Sequence, residues 1–449
     1  MGECTERLLS HMPARTGFDT AFEDIRDLQV AAMNEKLQEQ GERIRLVAMR
    51  AKDAGLGEIR SMDDAVPLLL PHTAYKSYPE SFLTEGKWDK LTRWLNTVSA
   101  NPTGNADIAG IGDIDEWVEA LLAAGHYVSC SSGTTGKSAM LVLSKPDIDF
   151  GMREIVEAVC WCTGIEATRD RRVFGLAPVA HVPKNLALGD ALEGAFGIPG
   201  SGRLNYPVPP MTVGSITKMI ILRKAMAEGT AMPADIADFE ATSAERAKAM
   251  DAAAGVLAQA LIEARGDKLF CMGLWSGFFG VASEVRNRGY SAKDFHPENA
   301  IFVSGGLKRA LLPDDYREFV YETFNIKPER TFLGYGMQEI QTSMPMCRAG
   351  GRYHIPSWLV ALPLNKNGDE LLPIGKGEIE GRAAFFDLSM DGRWGGVISG
   401  DHIHIDFSPC ACGAKSPSIR DNIVRYADLE GDDKIGCAGT VDAYVRGLS

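Results

Sequence analysis

Residues 129–137 read Ser-Cys-Ser-Ser-Gly-Thr-Thr-Gly-Lys, with an apolar, strand-like run on each side. Glycines let the backbone turn tightly and approach a ligand closely, and successive turn amides then form a concavity that binds anions. Hydroxyl groups donate to phosphate oxygens, and a lysine adds a positive charge. The stretch predicts a phosphate-binding loop between two strands, with an ordinary Ser/Gly hairpin turn as the alternative. The loop residues are Ser131, Ser132, Gly133, Thr134, Thr135, Gly136 and Lys137.

The loop differs from a P-loop, because the spacing from Gly133 to Gly136 is shorter and an apolar strand follows instead of a helix. It resembles the nucleotide loop of the adenylate-forming superfamily, which includes acyl-CoA synthetases, luciferases and the adenylation domains of peptide synthetases. Its form is most similar to that of the phenylacetate-CoA ligase branch. The resemblance covers roughly residues 65–435, and three further motifs follow the loop in the family's order.

Two of these motifs are expected to hold the base and the metal. Asn299 to Val303 reads as a buried strand, and the Gly305-Gly306 pair after it resembles the glycines that line the family's adenine pocket. Tyr335-Gly336-Met337-Gln338-Glu339 resembles Tyr-Gly-x-x-Glu. The resemblance implies that Tyr335 stacks on adenine, that Gly336 allows the turn, and that Glu339 holds Mg²⁺ beside the phosphates. Carboxylate oxygens suit that ion.

The remaining motif and two single residues complete the expected site. Ser399-Gly400-Asp401 resembles the family's Thr-Gly-Asp element, so Asp401 is expected to accept the ribose hydroxyls, with Arg425 on the ribose or phosphate side. Pro178-x-x-His181 is similar to a family segment whose histidine borders the acyl pocket. The expected catalytic residues are Lys137, Glu339 and His181. His72 and Lys76 could reach a ligand, but as isolated residues they are interpreted as structural.

Cysteines suggest a second metal site. Cys410 and Cys412 stand where the phenylacetate-CoA ligase branch has Cys-Pro-Cys-Gly, and Cys347 and His354 flank a Gly-Gly turn upstream. Four nitrogen and sulfur ligands suit a closed tetrahedral zinc site, and the resemblance implies structural Zn²⁺ here. The alternative is four unrelated residues in a reducing compartment.

The composition of the chain indicates which binding partners and which cellular compartment to expect. The chain has 449 residues, 45% hydrophobic, and a formal net charge of -13. The absence of a basic cluster argues against nucleic acid, and no apolar run approaches membrane-spanning length. Nine scattered cysteines without an apolar leader favour a cytoplasmic protein over a disulfide scaffold. A homodimer is compatible with the sequence.

The elements that must position these residues form an α/β protein. Helical periodicity dominates residues 1–64, and residues 65–425 are expected to form the large domain of adenylate-forming enzymes, with mixed β-sheets flanked by helices and a small β-barrel-like subdomain. Residues 185–213 are rich in Gly and Pro and are predicted to form a loop, whereas residues 216–265 are predicted to be helical. Residues 426–449 resemble the hinge that leads to the family's mobile C-terminal domain. The sequence leaves open a truncated record or an enzyme that works without that domain.

The expected activity is ATP- and Mg²⁺-dependent conversion of an aryl or fatty carboxylic acid to an acyl-adenylate, with release of pyrophosphate. By resemblance, CoA is then the default acceptor, which makes the protein an acid–thiol ligase. Transfer to an amine, a carrier protein or a protein cysteine is the first alternative. A nucleotide-binding relative without catalysis is the second.

Overall fold

The computed structural model describes residues 1–130, 137–307, 310–431, 433 and 435. Its α-helices, numbered α1 to α14, span Glu3–Leu9, Phe22–Gln40, Arg45–Asp53, Met62–Ala65, Ser81–Thr84, Trp88–Leu95, Ile114–Ala123, Lys145–Thr163, Pro183–Phe196, Val213–Ala227, Pro233–Glu263, Trp275–Asn287, Tyr316–Phe324 and Tyr426–Glu430. Short 3-10 helices occupy Thr16–Phe18, Val66–Leu68, His72–Lys76 and Ala292–Asp294.

The strands are numbered β1 to β17 in chain order. They span Leu70–Pro71, Tyr127–Cys130, Met140–Leu143, Arg172–Leu176, Ala180–His181, Arg203–Leu204, Met211–Thr212, Leu269–Gly273, Asn299–Val303, Ile326–Tyr335, Met344–Pro345, Arg352–His354, Leu359–Ala361, Glu378–Asp387, Gly396–Asp406, Ser418–Arg420 and Val424–Arg425.

The described residues form two compact units. The first comprises those of Met1–Gly133, Lys137–Ile155 and Gly336–Ser449, and the second comprises those of Val156–Tyr335. The first unit is therefore built from distant parts of the chain, whereas the second is nearly continuous.

The sheet of the first unit is built on the long hairpin of β14 and β15. Its strands lie in the order β12-β16-β15-β14-β13, and β1 pairs parallel and β17 antiparallel with β15. The middle of the hairpin is apolar and buried. There Phe385 pairs with Val397, and both are 1% exposed or less. Strand β15 therefore carries neighbours from the N-terminal and C-terminal parts of the chain.

Helix α7 shows how the local sequence determines an element of the first unit. Asp113 caps it, because its carboxylate accepts hydrogen bonds from the amides of Asp115 and Glu116 at 2.9 and 3.0 Å. Trp117 faces the interior, fully buried. Gly125 then turns the chain with φ +88°, a conformation that favours glycine, and β2 begins at Tyr127.

The second unit contains a parallel sheet in the order β10-β9-β8-β4-β6. Helices α11 and α12 bury apolar faces in its core, where Leu257, Leu261 and Phe278 have no exposed surface. A Cβ at Gly277 would lie 1.8 Å from the carbonyl oxygen of Leu176, so glycine is required where α12 approaches the end of β4.

The predicted α/β class is confirmed, and so are the helices of residues 216–265, observed as α10 and α11. The loop expected over residues 185–213 is wrong in its first part, where α9 runs from Pro183 to Phe196. Proline suits the first position of a helix, because its fixed φ is already helical and an amide there has no helical partner. Among the described residues, no helix is both long and apolar enough to cross a membrane.

Candidate active site

The predicted phosphate loop connects β2 to β3, which pair antiparallel so that Cys130 lies opposite Met140. Ser131 to Gly136 lie outside the described residues. Lys137 is described at the start of the returning segment. Its ammonium donates to the carbonyl oxygen of Tyr78 and lies 4.3 Å from the centre of that ring. The loop lysine is therefore held beside the segment that contains His72 and Lys76.

Glu339 is a buried carboxyl in the first unit, with 8% of its surface exposed. Burial raises its pKa, and Asp401 adds to the rise, whereas its own backbone amide, Lys76 and Arg393 act in the opposite direction. The protein therefore compensates the negative charge of ionised Glu339 only in part. A bound cation would stabilise it, as expected for a magnesium ligand.

Hydrogen bonds fix the chain on both sides of this glutamate. The hydroxyl of Ser129 donates to the side-chain oxygen of Gln338 at 2.8 Å, and Arg393 donates to the Gln338 carbonyl at 2.7 Å. On the other side, the amide of Gln341 donates to Asp387 at 2.8 Å. The chain on either side of Glu339 is thus held by β14, by Arg393 and by β2, the strand that leads into the phosphate loop.

Asp401 and Arg425 lie opposite each other where β17 pairs with β15. Arg425 Nε is 3.9 Å from Asp401 Oδ1, and the Asp401 amide donates to the hydroxyl of Ser399 at 3.1 Å. The arginine is half-exposed, whereas the aspartate side chain is 18% exposed. The structure therefore brings together two residues that were predicted separately for the ribose side.

His72 reaches the same strand through β1. Because Pro71 pairs with Ile398, the histidine that follows lies beside Gly400, where a Cβ would be 3.2 Å from the imidazole Cε1 and 3.2 Å from a carboxylate oxygen of Asp433. Its buried Nδ1 has no hydrogen-bond partner among the described residues. Burial lowers the pKa of His72 to about 4, against the opposing influence of Asp401 and Asp433.

Lys76, one helical turn beyond His72, belongs to the same group of charges. Burial lowers its pKa, Glu339 opposes this shift, and Arg425 adds to it. From the sequence, His72 and Lys76 are interpreted as structural residues that could reach a ligand, and the structure places them beside the predicted site. Their only sequence signal is their place in an ordered segment upstream of the loop.

Asp433, from the predicted hinge segment, is bound to β14. It accepts two hydrogen bonds from the guanidinium of Arg382, at 2.6 and 3.0 Å. Arg382 is 1% exposed, donates to the carbonyl of Ser399 at 3.0 Å and lies 4.2 Å from the ring centre of Tyr426. The start of the hinge-like region is therefore fixed next to the strand that carries Asp401.

In the second unit, the predicted adenine residues lie at the ends of neighbouring strands. Val303, the last residue of β9, pairs with Leu333 of β10. Gly305-Gly306 begins two residues after Val303, and Tyr335, two residues after Leu333, is the last residue of β10. Gly305 has φ +78°, which favours glycine. The carboxyl edge of an open parallel sheet is where ligands bind in such folds. The structure thus brings these three residues to one sheet edge.

His181 lies in the same unit but in a separate pair of strands. It pairs with Thr212 where β5 meets β7, and its side chain is exposed to solvent. Its role beside the acyl group therefore rests on the resemblance alone.

The four predicted zinc ligands come together in the first unit. One ligand atom from each of Cys347, His354, Cys410 and Cys412 lies within 4.8 Å of the others. The Cys347 and Cys410 sulfurs are 3.7 Å apart, and Cys412 Sγ is 3.4 Å from His354 Nε2. The other ring nitrogen, His354 Nδ1, is 3.1 Å from the hydroxyl of Ser416, which fixes the ring.

Two features fit this cluster to a metal. A Cβ at Gly350 would lie 2.4 Å from Cys410 Sγ and 3.0 Å from Cys347 Sγ, so only glycine leaves room for the thiols. Burial raises the pKa of the Cys347 thiol, but hydrogen bonding with His354 and with the backbone of Arg352 and Gly350, together with the electrostatic influence of His354, lowers the pKa to about 6. Three sulfurs and one imidazole are the donor set of structural zinc sites.

Comparison with known proteins supports the fold. No protein-family model matches the chain, and no curated protein sequence is similar to it. Its structure is similar to that of a 2-hydroxyisobutyryl-CoA ligase in complex with 2-HIB-AMP and CoA, in the thioesterification state (TM-score 0.54, 12% identity, 92% of this chain and 70% of that one). An open conformation of the ligase gives TM-score 0.53 at 12% identity, over 92% of this chain and 77% of that one. The chain therefore has the fold of an adenylate-forming ligase, as predicted.

Proposed function

We propose that this protein activates a carboxylic acid with ATP and Mg²⁺. An oxygen of the acid attacks the α-phosphorus of ATP, the bond from that phosphorus to the bridging oxygen breaks, and pyrophosphate leaves with the electron pair. The product is an acyl-adenylate. Such a reaction needs alignment and charge neutralisation and no covalent nucleophile from the protein.

The proposal rests chiefly on the buried charge cluster around Glu339. The protein compensates the charge of this carboxyl only in part, and the neighbouring Gln338 is bound to the strand that leads into the phosphate loop. Lys76 and Asp401 act electrostatically on Glu339, and Arg425 acts on Lys76. A bound magnesium ion would neutralise charge on the phosphates, and Glu339 would be one of its ligands. Core packing alone gives no reason to bury an acid against a partial set of cations.

The other predicted residues take the remaining parts of the nucleotide. Asp401 accepts the ribose hydroxyls, and Arg425 holds its carboxylate in place. Tyr335 stacks on the adenine, with Gly305, Gly306 and Gly336 leaving room for the ring. Lys137 and the loop residues Ser131, Ser132, Gly133, Thr134, Thr135 and Gly136 bind the phosphates, and His181 borders the acid.

Transfer to CoA is the proposed second step. The fold neighbour described as a 2-hydroxyisobutyryl-CoA ligase was solved with an adenylate and CoA, which supports a thiol acceptor. Transfer to an amine, a carrier or a protein cysteine is the competing second step. The two are separated by supplying CoA or a panel of amines to the preformed adenylate and identifying the acyl product.

Acid-dependent exchange of labelled pyrophosphate into ATP tests the first step. The purified protein is assayed with Mg²⁺ and a panel of aryl, fatty and hydroxy acids, and exchange above the acid-free rate is the expected result. Protein that binds ATP but gives no exchange with any acid would instead be a non-catalytic nucleotide-binding relative, and the ligase proposal would fail.

We further propose that Cys347, His354, Cys410 and Cys412 bind a structural zinc ion. The four ligand atoms are gathered around one point, and Gly350 leaves the space that the thiols need. Metal analysis of protein purified without chelator tests this directly. One equivalent of zinc that is absent from a Cys410→Ser variant is expected.

A further inference from the structure

A second cluster of metal-ligating side chains lies on the β14–β15 hairpin, apart from the cysteines. His402 and His404 are two residues apart in β15, so their side chains lie on the same face of the strand. Ile403 and Ile405 alternate with them and are buried, 1% and 0% exposed. The two imidazoles therefore face away from the core, and their ring centres are 5.6 Å apart.

The neighbouring strand adds a carboxylate to this face. Glu380 lies opposite His404 in the antiparallel register and diagonally across from His402. Its Oε1 is 3.0 Å from His402 Nε2. One ligand atom from each of the three side chains lies within 4.8 Å of the other two. Two imidazoles and one carboxylate thus converge on one point above the hairpin.

We propose that Glu380, His402 and His404 bind a divalent cation of the zinc class. In a tetrahedral zinc site with bonds of about 2.1 Å, neighbouring ligand atoms are about 3.4 Å apart, which small side-chain rotations would reach from the observed spacing. Two imidazoles and one carboxylate suit zinc, cobalt or nickel. Magnesium is disfavoured, because it prefers oxygen ligands alone. Three protein ligands leave a fourth position for water.

The surroundings favour three ligands and no more. A second carboxylate, Glu378, lies 3.9 Å from His404 Nδ1, but Arg420 already pairs with it. It can orient the imidazole without joining the metal, as acids behind ligating histidines do. The guanidinium of Arg382, which faces His402 in the register, is bound to Asp433 instead.

This site differs from the cysteine cluster in ways that an experiment can measure. It contains no sulfur, and its side chains are partly to largely exposed, from 16% for His402 and 26% for His404 to 62% for Glu380. It would therefore exchange metal more readily than the cysteine cluster. It also does not depend on the proposed ligase activity, because none of its three residues has been placed on the nucleotide or the acid.

Equilibrium dialysis of the full chain against Zn²⁺ tests the proposal by difference. We expect the protein to bind one equivalent of Zn²⁺ more than a His402→Gln/His404→Gln double variant. We expect Glu380→Gln to lower the affinity for that additional Zn²⁺ by at least ~10-fold. His296→Gln, which removes an imidazole from the second unit, is the matched control and should bind as the unmodified protein does.

Cobalt gives a second readout that separates the two clusters. Thiolate-to-cobalt absorption reports only on the cysteine cluster, so the double variant should keep this absorption and lose one equivalent of total cobalt. Circular dichroism and thermal melting verify that each variant is folded, and Glu380→Gln, at an exposed position, stands in if the histidine variant is not. Equal stoichiometry and affinity in the unmodified and variant proteins would overturn the proposal and leave Glu380 and His402 as a simple polar contact.

Discussion

Asp401 and Arg425 face each other across β15 and β17, with Arg425 Nε 3.9 Å from Asp401 Oδ1. This pairing joins the Ser-Gly-Asp motif to the residue that precedes the hinge-like segment. An ion pair at this distance in a half-exposed position contributes little to stability. We propose that the pair serves to orient a side chain: Arg425 holds the carboxylate of Asp401, which accepts hydrogen bonds from the ribose hydroxyls.

Replacement of that aspartate should act mainly on nucleotide affinity. Asp401→Asn keeps the shape and removes the charge, so hydrogen bonds to the ribose weaken by about 1.5–3 kcal/mol, roughly a 10- to 100-fold rise in KM for ATP. Pyrophosphate exchange at varied ATP concentration measures this. Asp406→Asn, on the same strand but paired with Arg352, is the matched control. Equal KM values for the two variants would remove the ribose role.

Glu339→Gln should abolish Mg²⁺-dependent exchange, with a loss of at least ~100-fold, because a neutral amide cannot hold the ion beside the phosphates. The fold should survive or gain stability, since burial already disfavours the charged form. Exchange rates and urea unfolding, measured on the same preparation, check both expectations. Glu329→Gln, an exposed acid on β10, should change neither quantity. Unchanged turnover in Glu339→Gln would exclude its metal role.

The pH profile of exchange should reflect the same burial. Burial raises the pKa of Glu339, so protons compete with the metal at a higher pH than for an ordinary glutamate. The acid limb should therefore lie above the usual titration range of a carboxyl and should move to lower pH as the Mg²⁺ concentration rises. An acid limb that is independent of Mg²⁺ would assign it to another group.

The parts of the site that follow buried strands were predictable from the sequence. Gly305-Gly306, Tyr335 and Asp401 each stand at or after an apolar run, where local composition alone indicates a strand end. Residue types and the family resemblance also predicted the four proposed zinc ligands, although their pairs lie far apart in sequence. For Gly305-Gly306, Tyr335 and Asp401, one short stretch of sequence contains both the residues with the expected chemical role and the apolar run that marks the strand.

His72 and Lys76 could not be placed in this way. They depend on β1, which is two residues long and pairs with Val397 and Ile398, more than three hundred positions away. No local pattern encodes such a pairing. Helix α9 was missed for the opposite reason, because the Gly and Pro residues around it outweighed its own helical signal.

Loss of the proposed zinc should destabilise the first unit. Cys410→Ser should remove one equivalent of zinc and lower the free energy of unfolding by several kcal/mol, because structural zinc binding contributes directly to folding. Metal content and urea unfolding with and without chelator are the measurements. Cys4→Ser, a thiol outside the cluster, should keep the metal. If chelator leaves the unmodified protein as stable as before, the ion has no structural role.

His72 should make stability depend on pH. Its imidazole titrates near 6.5 when unfolded and near 4 when folded, because burial opposes the charged form more than Asp401 and Asp433 favour it, and Lys76 adds to the shift. Between pH 4 and 6.5 the unfolded chain binds more protons, so this contribution is complete above pH 6.5 and lost as pH falls, by up to about 3 kcal/mol. His72→Gln should flatten this slope in urea unfolding between pH 7 and pH 4.5, whereas His296→Gln should retain it. An unchanged slope in the His72 variant would mean that its imidazole titrates alike in both states.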